Sequence, residues 1–184
     1  GSDCERWIDK VMSKSLNIGT AHDGKPFTIP ADAVTQTFAY LAVRGMGKTY
    51  AMLKAAEEML RIGATIVVAD PVGVCWGLRS SADGKSSGFP IIVMGGDHAD
   101  VPLESTAGAV IADFIVDDRQ SCVLDLSLMR KGEQTRFMQD FAERLYHRNR
   151  LPIHLFLDEA DSFAPQRPMP GQQRMLGAVE DLVR

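Results

Sequence analysis

The chain has 184 residues, of which 45% are hydrophobic and 24% charged, and a net charge of −4. That length suits one domain of ordinary size, and that apolar content is enough for a real core. The mild acidity excludes a bulk electrostatic preference for nucleic acid and leaves only local basic patches to consider.

Gly1 and Ser2 read as a cloning remnant, and residues 1–36 as an N-terminal extension. Within it, Asp23-Gly24 lies between Asn17-Ile18-Gly19-Thr20 and Phe27-Thr28-Ile29, a pattern that predicts a small β-hairpin. From residue 37 to 184 strand-like and helix-like segments alternate, which predicts an α/β core around a mostly parallel sheet. The strands are expected at 37–43, 64–69, 89–94, 121–126 and 153–157. Each is a short continuous apolar run, as in parallel strands covered by helices on both faces. The helices are expected at 48–62, 104–117, 132–148 and 172–183, with Gly63 ending the first. In the third, Phe137, Phe141 and Leu145 recur every four residues beside Met138 and Ala142, a stripe that belongs in a core. Residues 80–88 and 165–173 read as polar loops. No apolar run approaches the roughly 18 residues of a membrane span. Cys4, Cys75 and Cys122 are odd in number and lack CxxC spacing, so neither a disulfide framework nor a zinc site is expected, and a cytoplasmic location suits them.

The chemistry is concentrated at two strand ends. Residues 42–49 read Ala-Val-Arg-Gly-Met-Gly-Lys-Thr, which is GxxxxGK[ST] with Ala42 in place of the first glycine. An apolar run leads in and a helix-like stretch follows, so backbone N–H groups and a helix N-terminus would surround a polyphosphate. Arg44, Gly45, Met46, Gly47, Lys48, Thr49 and Tyr50 are the candidate nucleotide contacts. Lys48 would place its cation at the β and γ phosphates of ATP, and the Thr49 hydroxyl would ligate Mg²⁺. A second Gly-Lys-Ser, at 84–86, is rejected because Arg79 stands where the first glycine is needed and Gly88 and Pro90 follow where a helix must start.

The other strand end is Ile153-His154-Leu155-Phe156-Leu157 followed by Asp158-Glu159, the form of a Walker B motif. Carboxylates at the C-terminal end of a parallel strand stand where open sheets bind ligands. Asp158 would hold Mg²⁺, and Glu159, directed to the other side, would polarise the attacking water. His154, a lone histidine in a buried strand, reads as a hydrogen-bonded core residue.

Together with Asp70-Pro71-Val72-Gly73 after the second core strand, and with residues 157–165 (Leu-Asp-Glu-Ala-Asp-Ser-Phe-Ala-Pro), these motifs resemble the HerA branch of the HerA/FtsK ATPases over about residues 16–184. The resemblance implies a RecA-like P-loop core, ATP hydrolysis, a hexameric ring and movement or unwinding of double-stranded DNA, with a nuclease or another effector docked on the ring. It carries Lys48, Thr49, Asp158 and Glu159 over as site residues. The family pattern continues past Walker B with a sensor strand that lies between the phosphate-loop strand and the Walker B strand. Ending at Arg184, this chain is therefore expected to be a fragment, without the amino-terminal β-barrel seen in several members of that family. A ring motor takes an arginine from a neighbouring subunit, and Arg144, Arg148 and Arg150 are the clustered candidates; their other reading is a solvated basic helix end.

Two other functions fit parts of this pattern. A nucleotide-binding scaffold or switch would use ATP to organise assembly without efficient turnover. A DEAD-box RNA helicase would share the tetrapeptide Asp158-Glu159-Ala160-Asp161, but it would carry Pro-Thr-Arg-Glu-Leu after its second strand, where this chain has Asp70-Pro71-Val72-Gly73-Val74.

Overall fold

The computed structural model describes residues 14–31, 36–41, 43, 45–81 and 84–183. The chain divides into two compact units, Gly1–Ile66 with Pro152–His154, and Val67–Leu151 with Leu155–Arg184. The segment 45–49 and the helix that follows it are grouped with the hairpin.

In the first unit, β1 (Ser15–Thr20) and β2 (Pro26–Pro30) pair antiparallel around the expected Asp23-Gly24 turn. Gly24 has φ 81°, a left-handed conformation that glycine adopts without a Cβ penalty. The register shifts between Asn17 and Gly19, where the Asn17 side chain accepts the Gly19 N–H at 3.2 Å. The helix α1 (Lys48–Arg61) packs against β1. Its buried residues, Met52, Ala55, Ala56 and Met59, follow the i, i+3, i+4, i+7 spacing of one apolar stripe. On the same helix, Glu58 takes Lys54 at 2.8 Å, an i, i+4 pair, and also pairs with Arg61.

One expected strand is not formed. The described residues of 37–43 carry no strand, and Leu41 and Val43 are 91% and 78% exposed. An apolar run reports a tendency to be buried; a strand also needs a neighbour for its N–H and C=O groups, and none of the described strands pairs with this segment.

The second unit is organised by a four-stranded sheet in the order β4-β5-β3-β6, made of β3 (Ile66–Asp70), β4 (Ile92–Met94), β5 (Cys122–Asp125) and β6 (His154–Leu157). All four strands are parallel. Val67 to Asp70 run beside Cys122 to Asp125, and Ile92 to Met94 run beside Cys122 to Leu124. His154 N–H donates to Thr65 C=O and Asp158 N–H to Ala69 C=O, so β6 advances in step with β3. β3 and β5 are buried at every position, which is why both read as unbroken apolar runs closed by an aspartate. β4 is shorter than its apolar run because Pro90 has no N–H to give a ladder.

Three helices belong to this unit, α2 (Gly108–Asp118), α3 (Lys131–Arg148) and α4 (Gln173–Leu182). α3 packs against both of the others. Phe137, Met138, Phe141 and Ala142 are fully buried, as their spacing predicts. Gly108 lets α2 come close: a Cβ there would stand 2.4 Å from Phe137 C=O. α2 starts later than its pattern suggests because Glu104 to Ala107 form a turn, with Ala107 N–H on Glu104 C=O at 3.0 Å. The described residues of 80–88 carry no helix and include a Ser80–Ser87 bridge, in keeping with rejection of the second Gly-Lys-Ser. No helix among the described residues is long and apolar enough to cross a membrane.

Candidate functional site

The phosphate-loop segment is shaped by its glycines. Gly45 and Gly47 have φ 81° and 85°, on either side of Met46, and Met46 N–H donates to Val43 C=O at 3.1 Å. Gly47 is the N-cap of α1, and no side chain caps that end. The first N–H groups of a helix have no intrahelical acceptor. Lys48 and Thr49 open the helix, both half-buried, while Met46 and Tyr50 are exposed. A Cβ on Gly45 or Gly47 would meet nothing within 4 Å, so space to one side of this turn is open. Arg44, a candidate contact, and Ala42, which holds the motif's first position, lie outside the described residues.

The strand ends of the second unit carry three buried carboxylates. Asp70 closes β3, Asp125 closes β5, and Asp158 follows β6; they are 0%, 3% and 7% exposed. Register sets them side by side, since Asp70 and Asp125 are direct partners and Asp158 N–H bonds Ala69 C=O.

Each aspartate has its own surroundings. Asp70 Oδ1 accepts the N–H groups of Val72 and Gly73 at 2.9 and 2.8 Å, and Oδ2 those of Val74 and Cys75, both at 2.7 Å. This explains the Asp-Pro-x-Gly sequence physically. Pro71 has no N–H to satisfy, and Gly73, at φ 87°, turns the backbone so that four successive donors converge on one carboxylate. Asp70 is thus an anchor for the loop that leads to a 3₁₀ turn, Cys75–Arg79. Asp125 Oδ1 accepts Ser127 N–H at 2.9 Å. The carboxylates of Asp70 and Asp158 and the Cys75 thiol lie within 4.8 Å of one another. Burial, with the charges of Asp70, Asp158 and Asp125, pushes the Cys75 thiol up, so it stays protonated and donates to Asp70. A protonated thiol and a carboxylate already holding four N–H groups are poor ligands for a soft metal. Asp158, buried beside Asp70 at the end of β6, is a hard oxygen donor.

Asp158 is buried and Glu159 exposed. Glu159 adopts φ 46°, ψ 57°, a left-handed conformation unusual for a residue with a side chain. It starts a short 3₁₀ turn, Ala160–Ser162, and its C=O accepts Ser162 N–H at 2.8 Å. His154 is buried.

The basic cluster is engaged within the unit. Arg144 makes a two-pronged pair with Asp113 of α2, Nε to Oδ1 at 2.7 Å and Nη2 to Oδ2 at 2.9 Å. Arg148 reaches Asp113 at 3.1 Å and Asp117 at 2.5 Å. The hydrogen bond from Arg144 holds the Asp113 carboxyl below the usual carboxylate range. Arg150 donates only to Asn149 C=O, at 2.8 Å, among the described residues.

Sequence reasoning passed over Asp125 as a site residue and missed the Gly95-Gly96 pair that follows β4. The available signal was repetition: three apolar runs, at β3, β5 and β6, each end in aspartate. Searches against protein-family models, curated proteins and solved structures give no match to the chain.

Proposed function

We propose that the chain is the ATP-binding and ATP-hydrolysing core of a motor subunit that works as a hexameric ring on double-stranded DNA and engages a nuclease or another effector. The observation that carries the reading is the turn at 45–49. Two left-handed glycines deliver the chain into a helix whose N-terminus no side chain caps, with Lys48 and Thr49 as its first residues. That arrangement suits a polyphosphate, which N–H groups, helix dipole and ammonium would bind together.

Within this reading Lys48 binds the phosphates, and Thr49 and Asp158 hold Mg²⁺. Bound Mg²⁺ neutralises charge on the polyphosphate. Glu159, exposed at its strand end, orients a water and takes its proton. The buried Asp158 keeps its oxygen donors at the sheet edge while the loop anchored on Asp70 holds the neighbouring strand end in shape.

Two features favour a RecA-like motor among P-loop enzymes. One is the resemblance of 70–73 and 157–165 to the HerA branch, whose Asp-Pro-x-Gly turn here has a defined structural task. The other is the sheet itself, four parallel strands with acids at their C-terminal ends, an arrangement compatible with such a core.

The test is steady-state ATP turnover with and without duplex DNA, for the wild type and for Glu159→Gln. Turnover that rises with duplex DNA and falls at least a hundredfold in the variant, about 2.7 kcal/mol of transition-state stabilisation, is expected. Turnover indifferent to Glu159 would remove it from the mechanism, and turnover stimulated by RNA alone would favour the DEAD-box reading.

A further inference from the structure

A cleft of about 410 Å³ opens at the C-terminal ends of β4 and β5, lined by Gly95, Gly96, Leu103, Asp125, Leu128 and Met129 among others. Its volume lies in the range of small-molecule sites, roughly 300 to 1,000 Å³. It lies wholly within the second unit.

The floor carries a single acid. Asp125 is 3% exposed, and among the described residues Ser127 N–H is the sole hydrogen-bond donor to it and no cationic side chain pairs with it. A carboxylate that deep costs several kcal/mol unless it is paired or well hydrogen-bonded. Its other oxygen is packed against glycine. A Cβ on Gly96 would stand 1.9 Å from Asp125 Oδ2, and one on Gly95 would stand 2.3 Å from Asp125 C=O. Both glycines have positive φ, 80° and 71°, so the β4 exit passes close beside the carboxylate as only glycine allows.

The walls indicate the rest of the ligand. Leu103, Leu128 and Met129 are apolar, and Leu128 is exposed at the rim. An adjoining groove shares these three residues and adds Glu104 and Glu133. The ionisable side chains lining both are therefore acids. A divalent ion wants six or more oxygen ligands, and one carboxylate among glycines and aliphatic groups cannot supply them. An anion would be repelled.

We propose that this cleft binds a guanidinium or ammonium group on a short apolar stem, with Asp125 pairing to the cation and Leu103, Leu128 and Met129 packing on the stem. The group can belong to a free alkylamine or to a basic side chain of a partner protein. The proposal needs no nucleotide and stands whether or not the chain hydrolyses ATP.

The test is an amide ¹H–¹⁵N titration of the whole chain without nucleotide, using agmatine in one arm and acetyl-Gly-Arg-Gly-amide in the other. Saturable shifts confined to the amides of Gly95, Gly96, Leu103 and Met129, with a Kd on the order of 1 mM, are expected in at least one arm. Agmatine alone would identify a free amine as the source, and the peptide alone a side chain. Asp125→Asn keeps an oxygen for Ser127 N–H, removes the charge, and should weaken binding at least tenfold. Leu128→Lys alters an exposed position, places a rival ammonium at the rim, and should weaken binding even if the first variant fails to fold. Absence of shifts at those amides up to about 10 mM in both arms would overturn the proposal. Unchanged affinity in the folded variants would overturn it equally.

Discussion

The phosphate-loop turn and the aspartate-lined strand ends are built by opposite means. At 45–49 shape comes from backbone conformation, two left-handed glycines in open space before an uncapped helix. At the ends of β3 and β5 it comes from side chains, buried carboxylates that gather N–H groups and leave no room for a Cβ nearby. A turn built in the open can be reshaped at little cost in stability and much cost in binding. A turn built on a buried carboxylate is part of the fold itself.

Substitutions that distinguish these cases sharpen the contrast. Asp70→Ala should have the largest effect, since four N–H groups lose one acceptor together; a loss of about 4 kcal/mol, read by urea unfolding, is expected. A loss below 1 kcal/mol would mean that water replaces the carboxylate and that the loop is not anchored there.

Glycine-to-alanine changes compare the two regions directly. Gly96→Ala adds a collision with Asp125 to an unfavourable φ and should cost about 3 kcal/mol. Gly45→Ala, with nothing near its Cβ, should cost only the conformational term of about 1 kcal/mol while weakening nucleotide binding by a larger factor. Equal costs at the two positions in the same unfolding series would erase the distinction.

The smallest effect belongs to the α2–α3 pairs. Asp113 titrates below its ordinary value because Arg144 bonds to it, so the pair stabilises the fold above the unfolded carboxyl value, about pH 4, and the contribution disappears as pH falls through the lower folded value. Arg144→Ala should therefore lower Tm slightly at pH 7, and its melting curve should merge with that of the wild type in strong acid. A Tm gap that persists at the lowest pH would assign the effect to packing by the arginine stem. These pairs also bear on the proposed ring. For Arg144 or Arg148 to reach a neighbouring subunit, each would have to leave α2, whereas Arg150 has no carboxylate to leave among the described residues.

Much of the second unit was legible in the sequence because its signals are local. Buried parallel strands announce themselves as apolar runs, and the Phe137, Phe141, Leu145 stripe announces the face of α3. The hairpin was legible from Asp23-Gly24. The segment 37–43 misled because hydrophobicity says what avoids water and says nothing about which strand will accept its hydrogen bonds. The Asp125 cleft was hidden for a related reason. It depends on register between β4 and β5 and on a glycine pair about thirty residues upstream, and neither is a local pattern. The arginine pairs were hidden less deeply. Asp113 and Asp117 repeat the spacing of Arg144 and Arg148, so a search for matched charges on two predicted helices would have found them.

The central claim, that the turn at 45–49 binds the polyphosphate of ATP, is tested most directly by calorimetric titration of ATP with Mg²⁺ into the wild type and Lys48→Ala. The account predicts saturable binding to the wild type and at least a tenfold loss in the variant, about 1.4 kcal/mol, with the same unfolding midpoint for both proteins in the absence of nucleotide. Unchanged affinity in Lys48→Ala, or no ATP binding by the folded wild type, would contradict it.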